Sequence, residues 1–202
     1  MRRRFLIITL FMRLVLASAS PRRRELLRAA GFHFDVRPSA VQENRRESES
    51  GEEFALRVAQ EKALDVAASY EPDTLVLGAD TVVIVNGQTL GKPTGPDDAA
   101  RMLRLLSGVT HRVITGLCLV HAPDRIEGLK SSTTLVTLRR LDEQEIQAYV
   151  ASGEPLDKAG AYGIQGLASK FVTRIEGCYF NVVGLPVALL YETLKPFGSA
   201  RF

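Results

Sequence analysis

An aspartate interrupts one of the long apolar runs of this chain. The run Thr74–Val85 is apolar and β-branched except at Gly78-Ala-Asp-Thr81, so Asp80 would lie in a strand covered on both faces. A buried carboxylate is costly unless a cation pairs with it or chemistry uses it. Asn86-Gly87 is a strong hairpin signal, and continuing the predicted ladder places Lys92 close to Asp80. The pair is typical of a functional site, although a structural pair that closes the hairpin stays open as an alternative.

Two arginines stand where a helix is predicted to begin. Residues 14–27 predict a short buried strand, a tight turn and a helix with Ser20 as its N-cap and Pro21 at its first position. Arg22 and Arg23 then lie in the first turn, which is unfavourable for cations because the helix dipole is already positive there. Free backbone N–H groups point out of the same end. Together with the guanidiniums they would suit a phosphate, whereas an ordinary surface helix with solvated arginines is the alternative.

A third candidate is the glycine-rich stretch Asp157–Gly166. It lacks the spacing of a Walker motif, so no P-loop is predicted. Its three glycines lie close to Tyr162 and Gln165, which indicates backbone that approaches another group closely. A glycine-rich surface turn would show the same pattern, so a ligand contact is a hypothesis here.

The other helices and strands follow from periodicity and caps. Ser50-Gly-Glu-Glu53 has capping-box spacing, and apolar residues follow it at the helical period. Lys62 lies on this helix, and from the residues alone we interpret it as a solvated lysine. Pro96 and Asp142 begin two further helices, and Gly184-Leu-Pro186 begins the last. Apolar or alternating runs predict strands at 32–36, 113–120, 131–138, 171–175 and 178–183. The pattern is mixed α/β.

The remaining reactive residues have structural explanations. His111 precedes the predicted strand 113–120, and a lone histidine in such a place is more often structural than catalytic. The two cysteines, Cys118 and Cys178, lack metal-site spacing and are too few for a disulfide framework. Both stand in apolar runs, which predicts buried free thiols.

Composition predicts a soluble globular chain of one domain or two intimate lobes. Of the 202 residues, 46% are apolar and 24% charged, and the net charge of +3 is too small to argue for a nucleic acid partner. Residues 1–12 have a basic start and a short apolar run that Arg13 interrupts, too short to span a bilayer. Cleavage after Ala19 would remove the strand before the Pro21 helix. We therefore expect a cytoplasmic protein with no membrane partner.

The same segment sets the predicted domain boundary. Met12 is a more natural start than Met1, so residues 1–12 are interpreted as an N-terminal extension or a misassigned start that is poorly ordered or loosely packed. Residues 13–198 are predicted to form a single domain.

Five short motifs occur in a fixed order along the chain. They are Ser18-Ala-Ser-Pro-Arg-Arg-Arg-Glu-Leu-Leu27, Gly78-Ala-Asp-Thr-Val-Val83, Gly91-Lys-Pro93, Ser107-Gly-Val-Thr-His111 and Asp157-Lys-Ala-Gly-Ala-Tyr-Gly-Ile-Gln-Gly166. Each is weak alone, but in this order they resemble the Maf family of nucleotide pyrophosphatases over about residues 13–197. The run Lys158–Gln165 is similar to the branch that hydrolyses dTTP and UTP. A sister branch, which prefers 7-methyl-GTP, carries a different sequence there.

The resemblance implies a fold and a reaction. The fold would be α/β, with a mixed twisted central sheet flanked by helices and two lobes separated by a cleft, as in the related inosine triphosphatases. The reaction would be the hydrolysis of dTTP and UTP, or of modified pyrimidine nucleotides, to the monophosphate and diphosphate in a house-cleaning role. A homodimer is implied, and a divalent cation, Mg²⁺ or Mn²⁺, would be the cofactor.

The resemblance also assigns roles to single residues. It implies that Asp80 is the general base, and it ties three further positions to substrate choice, namely Arg22, Thr81 and Gln165. The basic residues that would hold the triphosphate are Arg23, Lys62 and Lys92, and Ser18 and Glu43 would be further pocket positions. Glu43 and Asp80 would supply the carboxylate oxygens that Mg²⁺ prefers beside phosphate.

Two other functions stay open at this point. The same basic cleft would serve a nucleotide-binding regulator of cell division or septum formation that acts through a partner without catalysis. Purine-cleaning pyrophosphatases share the broad fold, but they do not share the glycine-rich pattern at 157–166.

Overall fold

The computed structural model describes residues 12–198, which form a mixed α/β structure. Its strands are β1 (Arg13–Leu16), β2 (Asp35–Val36), β3 (Thr74–Val85), β4 (Gln88–Leu90), β5 (Thr110–His121), β6 (Arg125–Leu138) and β7 (Val172–Glu176). Its helices are α1 (Pro21–Ala29), α2 (Gly51–Ala67), α3 (Pro96–Leu106), α4 (Glu143–Ala151), α5 (Tyr179–Val183) and α6 (Val187–Leu194). Short 3₁₀ turns occupy Glu154–Asp157, Ala159–Ala161, Leu167–Phe171 and Lys195–Phe197. The predictions for residues 1–11 lie outside the described residues.

The strands form one seven-stranded mixed sheet, which confirms the predicted fold class. Its order is β2-β1-β3-β5-β6-β7, with β4 paired to β3. Strand β1 is parallel to both of its neighbours, and the other pairs are antiparallel. The parallel register sets Leu16 beside Leu77, and Ala17 N–H donates to the Leu77 carbonyl at 2.8 Å. The chain therefore leaves β1 beside Asp80 and starts α1 there.

Local signals explain where the main helices begin. Ser20 caps α1 by accepting a hydrogen bond from the Arg23 N–H, and Pro21 occupies the first turn. Capping boxes at Ser50 and Asp142 begin α2 and α4, as the sequence predicts. These caps fix the first turns of the helices, which the apolar faces then hold against the sheet.

The apolar core has two main clusters, on either side of a cleft. One gathers α3, α4 and the inner side chains of β3 and β5 around Phe171. The other gathers α1 and α6 around Leu77 and Leu119. The cavity described below is lined by Val83 and Tyr162 of the first cluster and by Ile164 of the second. In the described residues no helix has both the length and the apolar character needed to cross a membrane.

Several predicted strands differ from the structure. The run 178–183 forms the short helix α5, so the strand prediction is wrong there, and Cys178 is half-buried whereas Cys118 is buried. A short apolar run cannot distinguish strand from helix by periodicity alone. The helix instead buries Asn181, whose Nδ2 donates to the Val113 carbonyl at 3.0 Å and to Thr134 Oγ1 at 3.0 Å. Of the predicted strand 32–36 only Asp35–Val36 forms.

Helix α2 lies unusually close to the sheet because two glycines face it. A Cβ on Gly78 would lie 2.0 Å from the Ala59 carbonyl oxygen, and one on Gly116 would lie 2.3 Å from the Ala55 carbonyl oxygen. Gly78 and Asp80 share one face of β3 because side chains alternate along a strand. The two glycines therefore set the distance between α2 and Asp80.

We expect Gly78→Ala to lower the free energy of unfolding by about 1–3 kcal/mol, because the added methyl group must push α2 away from the sheet. Urea unfolding measures the loss. Gly91→Ala is the matched control, because a Cβ there meets nothing within 4 Å. A Gly78→Ala protein as stable as the control variant would show that α2 is free to move outward.

Candidate active site

A cavity of about 600 Å³ lies where α1, β3 and the segment 157–166 meet. It brings together all the residues that the sequence assigned to the site: Ser18, Arg22, Arg23, Glu43, Lys62, Asp80, Thr81, Lys92 and Gln165. These residues come from six separate parts of the chain, so only the fold makes them neighbours. Their individual roles stay predictions.

The centre of the cavity wall is a lysine held between two carboxylates. Lys62 Nζ lies 2.9 Å from Asp80 Oδ1 and 2.6 Å from Glu43 Oε1. Lys62 is 8% exposed and Asp80 is 5% exposed. The interpretation of Lys62 as a solvated lysine is therefore wrong. An ammonium group has three N–H donors, so one remains for a ligand.

The predicted contact between Lys92 and Asp80 does not form. Strand β4 pairs with β3 from Val85 opposite Gln88 to Val83 opposite Leu90, in the predicted register, and ends there. Lys92 follows in an irregular segment and is exposed. Its side chain lines the cavity, and its charge contributes to lowering the pKa of Glu43. The ion-pair partner of Asp80 is Lys62 on α2.

The two carboxylates differ in their tendency to take up a proton. Burial raises the pKa of Asp80 above its ordinary value, against the opposing charges of Lys62 and Arg23. Burial also acts to raise the pKa of Glu43, but the charge and hydrogen bond of Lys62, with the charges of Lys92 and Arg23, outweigh it and leave that pKa lowered. Asp80 is therefore the stronger base of the two.

Arg23 is buried at the start of α1 and is fixed by three hydrogen bonds. Its guanidinium donates from Nε to the Gly184 carbonyl at 2.8 Å, from Nη1 to Ser18 Oγ at 3.1 Å and from Nη2 to Thr81 Oγ1 at 3.1 Å. Burial lowers the pKa of Arg23, with the charge of Asp80 opposing it, but a guanidinium remains charged in proteins. Three of its five N–H donors are used, so two are left for a ligand.

Thr81 lies within a buried chain of hydrogen bonds. Its hydroxyl accepts from Arg23 and lies 2.9 Å from Thr115 Oγ1, which in turn donates to the Asn181 carbonyl at 3.2 Å. The hydroxyl of Thr81 is thus engaged within the protein, and in this structure it helps to orient Arg23. Sequence reasoning missed Thr115 and Asn181, for which the only signal was a polar residue inside an apolar run.

Arg22 spans the mouth of the cavity. Its Nη1 donates to Asp157 Oδ2 at 2.9 Å and its Nη2 to the Asp157 carbonyl at 3.3 Å. Burial acts to raise the pKa of Asp157, but hydrogen bonds from Lys158 and Arg22 outweigh it and leave the pKa lowered. Asp157 belongs to one of the five motifs, but no role was predicted for it. Its partner Arg22 lies 135 positions away in the sequence, so no local pattern indicates the pair.

The loop that carries Glu43 is tied to α2. Arg57 donates from Nη2 to the Asn44 carbonyl at 3.0 Å and from Nε to Glu49 Oε1 at 2.6 Å. At the other side of the loop, Ser39 Oγ donates to Asp65 Oδ2 at 2.7 Å. The helix that buries Lys62 therefore also holds the loop whose carboxylate contacts that lysine.

The glycines of the segment 157–166 allow close approach, as predicted, but each approaches the protein itself. A Cβ on Gly160, whose φ is +69°, would lie 2.8 Å from Val83 Cγ2. One on Gly166 would lie 2.2 Å from Glu154 Oε1. The segment is thereby held against β3 and the turn Glu154–Asp157, with Gln165 exposed at the cavity.

His111 supports this segment from within the core. Its Nε2 lies 2.8 Å from the Tyr162 hydroxyl, and the two rings meet edge to face at 5.4 Å. His111 is 2% exposed, and burial lowers the pKa of its imidazole to about 4. The structure thus supports the structural interpretation of this histidine.

The lowered pKa of His111 predicts a loss of stability in acid. The unfolded chain takes up a proton near pH 6.5, whereas the native protein does so only near pH 4, so stability falls as the pH drops from 6.5 to 4. At about 1.4 kcal/mol for each pH unit, the gap corresponds to roughly 3 kcal/mol. We expect urea unfolding between pH 7 and pH 4 to show a smaller loss in His111→Gln. The exposed His33→Gln is the control, and equal pH profiles for both variants would contradict the prediction.

Comparison with known proteins shows the family of this chain. The family model described as "Maf: Maf-like protein" matches residues 13–197. A dTTP/UTP pyrophosphatase of Koribacter versatilis is 50% identical over 187 residues, covering 93% of this chain and 95% of that protein. A dTTP/UTP pyrophosphatase of Moorella thermoacetica is 53% identical over 188 residues, covering 92% and 95%. A third, from Salmonella typhimurium, is 50% identical over 188 residues, covering 93% and 94%.

The similarity to one solved structure is weaker. The structure of a HAM1 protein from Coxiella burnetii is 13% identical, with a TM-score of 0.45 over 74% of this chain and 86% of that one. The match of the family model and the identity of about half of all residues with these relatives both extend over almost the whole chain. The chain therefore belongs to the Maf family.

Proposed function

We propose that this chain is a nucleoside triphosphate pyrophosphatase that hydrolyses dTTP and UTP to the monophosphate and diphosphate, in a house-cleaning role on normal or modified pyrimidine nucleotides. The observation that carries the proposal is the buried Asp80 beside Lys62 and Arg23, at a cavity of about 600 Å³. Relatives at about half identity that are named dTTP/UTP pyrophosphatase support it.

The cations at the cavity match the charge of a triphosphate. A nucleoside triphosphate carries roughly four negative charges at neutral pH, because its terminal phosphate loses a second proton near pH ~6. Arg22, Arg23, Lys62 and Lys92 would neutralise this charge and hold the leaving diphosphate. Arg23 and Lys62 have free donors for phosphate oxygens although both are fixed by the protein.

Asp80 would be the general base. It would take a proton from a water molecule as the water oxygen forms a bond to the α-phosphorus, while the bond from that phosphorus to the bridging oxygen breaks and diphosphate leaves. A base whose pKa is raised by burial accepts a proton more readily than an ordinary aspartate. Lys62 would hold the carboxylate in place for this transfer.

A divalent cation, Mg²⁺ or Mn²⁺, is part of the proposal. Glu43 and Asp80 both direct an oxygen at Lys62 Nζ, so two carboxylates converge on one side of the cavity. This donor set fits Mg²⁺, which commonly takes one or two carboxylates together with phosphate oxygens. When bound there, the cation would offset the phosphate charge of the substrate. Within the described residues no cluster of three or more His, Cys, Asp or Glu side chains offers a complete protein site.

The base of the nucleotide would lie toward Gln165. Its side-chain amide offers a donor and an acceptor to a pyrimidine edge, and it is exposed at the cavity. Arg22 and Thr81 are proposed to contribute to substrate choice as well. A homodimer, a cytoplasmic location and the absence of a nucleic acid or membrane partner belong to the same proposal.

The test is the release of diphosphate from a panel of ordinary and modified nucleoside triphosphates, with Mg²⁺, with Mn²⁺ and with a chelator. The proposal expects turnover of dTTP and UTP above that of purine triphosphates, and none in the chelator. Tight nucleotide binding without diphosphate release would contradict it and would favour a regulator of cell division.

We expect Asp80→Asn to lose about a hundredfold or more in turnover of dTTP, because the amide cannot accept the proton. The fold should remain, since the substitution keeps the size of the side chain and Lys62 keeps its contact with Glu43. Steady-state diphosphate release and circular dichroism measure the two effects. Asp124→Asn, in an exposed turn, is the control. Turnover within a few fold of the unmodified protein would remove Asp80 from the mechanism.

Gln165→Ala should alter the preference between bases. The amide would hydrogen-bond to a base edge, so its loss should lower kcat/KM for dTTP and UTP more than for dATP and dGTP. The loss of transition-state stabilisation should be larger for the pyrimidine nucleotides by about 1–3 kcal/mol. Gln147→Ala, whose amide bonds Glu143 on the exposed side of α4, is the control. Unchanged ratios across the four substrates would mean that base selection lies elsewhere.

A further inference from the structure

The backbone around Gln165 sets the direction of its side-chain amide. Its side chain is exposed at the cavity, and none of the hydrogen bonds found in the described residues involves its amide. The position of the amide is therefore set by the loop that carries it. A hydrogen-bonding side chain selects between bases only where it is held in place.

Two hydrogen bonds fix the backbone on either side of Gln165. The Gly163 N–H donates to the Tyr149 hydroxyl at 3.2 Å, and the Leu167 N–H donates to Glu154 Oε2 at 2.9 Å. Between them the Gly166 N–H donates to the Gly163 carbonyl at 3.1 Å, which closes a turn around Gln165. The turn is thus attached to the protein at both ends.

The two anchoring side chains are bonded to each other. The Tyr149 hydroxyl donates its proton to Glu154 Oε1 at 2.9 Å, so the hydroxyl oxygen is free to accept from Gly163. Tyr149 is 3% exposed, and its ring meets Phe171 edge to face at 5.5 Å. Burial, the hydrogen bond to Glu154 and the Glu154 charge raise the pKa of Tyr149. The hydroxyl therefore stays protonated and keeps this direction of donation.

The carboxylate of Glu154 lies directly against the loop at Gly166, so a side chain at this position would displace that carboxylate from its place. A Cβ on Gly166 would be 2.2 Å from Glu154 Oε1 and 2.5 Å from Oε2. Lys158 Nζ donates to the Glu154 carbonyl at 2.7 Å and so ties the start of the segment to the same residue. Glu154 therefore has a contact near each end of the segment.

We propose that Tyr149 and Glu154 are positioning residues for nucleobase selection, which hold the Gln165 turn at the base end of the cleft. The inference rests on the proposed function, in which the Gln165 amide hydrogen-bonds to the edge of a pyrimidine base. Neither residue lines the cavity, so they act through the loop and do not touch the nucleotide. Loss of an anchor lets the amide move, and the discrimination between bases falls while phosphate binding remains.

Tyr149→Phe is the first test, because it removes the hydroxyl and keeps the ring against Phe171. The measurement is kcat/KM for dTTP, UTP, dATP and dGTP. We expect the pyrimidine-to-purine ratio to fall by about fivefold, the value of one hydrogen bond. The kcat for dTTP should stay within about twofold to threefold, since no group that holds phosphate is changed. Tyr70→Phe, a conservative change at a tyrosine outside the cavity, is the matched control.

A double-mutant cycle separates positioning from a general structural role. In the Gln165→Ala background, Tyr149→Phe should leave the base ratio unchanged, because the anchor acts only through the missing amide. An equal fall in kcat/KM for all four nucleotides, or additive effects on the ratio, would overturn the inference. Glu154→Gln is a second test, because it weakens the acceptor for the Leu167 N–H without a change of size. It should lower the same pyrimidine-to-purine ratio.

The outcomes distinguish this inference from the proposed function. If the unmodified protein releases diphosphate with a pyrimidine preference and the ratio survives in Tyr149→Phe and Glu154→Gln, the positioning role alone fails. If the unmodified protein shows no release or no preference, the proposed function fails and this inference fails with it. Faster hydrogen exchange of the Gly163 and Leu167 amides in Tyr149→Phe would support the inference independently of activity, and unchanged exchange would oppose it.

Discussion

The contact of Lys62 with Asp80 and Glu43 is the constraint on which the rest of the structure depends. Charged groups that are more than nine-tenths buried, as Lys62 and Asp80 are, persist only when they are paired and hydrogen-bonded. Pairing across 2.9 Å requires α2 to lie at one fixed distance from β3. Gly78 and Gly116 provide that distance, because their Cα atoms let the backbone of the helix approach the sheet. The packing of α2 against the sheet and the ion pair of the site therefore require the same distance between helix and strand.

The cations of the cleft are held in place before any ligand arrives. Arg23 is fixed by Ser18, Thr81 and the Gly184 carbonyl, and Arg22 is paired with Asp157. Binding groups that are already oriented lose little entropy when a charged ligand arrives, which favours electrostatic stabilisation of developing charge. The two arginines differ, however. Arg23 keeps its partners and offers its two remaining donors, whereas Arg22 has an exposed carboxylate as partner, which an anionic ligand can replace.

Local signals predicted much of the fold, and long-range contacts explain what they missed. Caps at Ser20, Ser50 and Asp142 and the turn at Asn86-Gly87 are properties of a few neighbouring residues, and the structure confirms them. The strand prediction for 178–183 was wrong because the conformation of this run follows from the burial of Asn181 against β5 and β6. The residues of the run do not themselves indicate that contact. The residues that the resemblance to a family assigned to the site all line one cavity. Spacing alone, by contrast, chose Lys92 as the partner of Asp80.

The sequence did contain a signal for the correct partner. Lys62 lies four residues after Val58 and four before Val66, so it belongs to the apolar face of α2 and not to its solvated face. A lysine in that stripe needs a buried anion, just as an aspartate in an apolar strand needs a buried cation. Each charge is costly to bury alone, and pairing offsets part of that cost when helix and strand face one another. A charge that interrupts an apolar pattern therefore carries more information than the motif around it, because burial leaves it few possible partners.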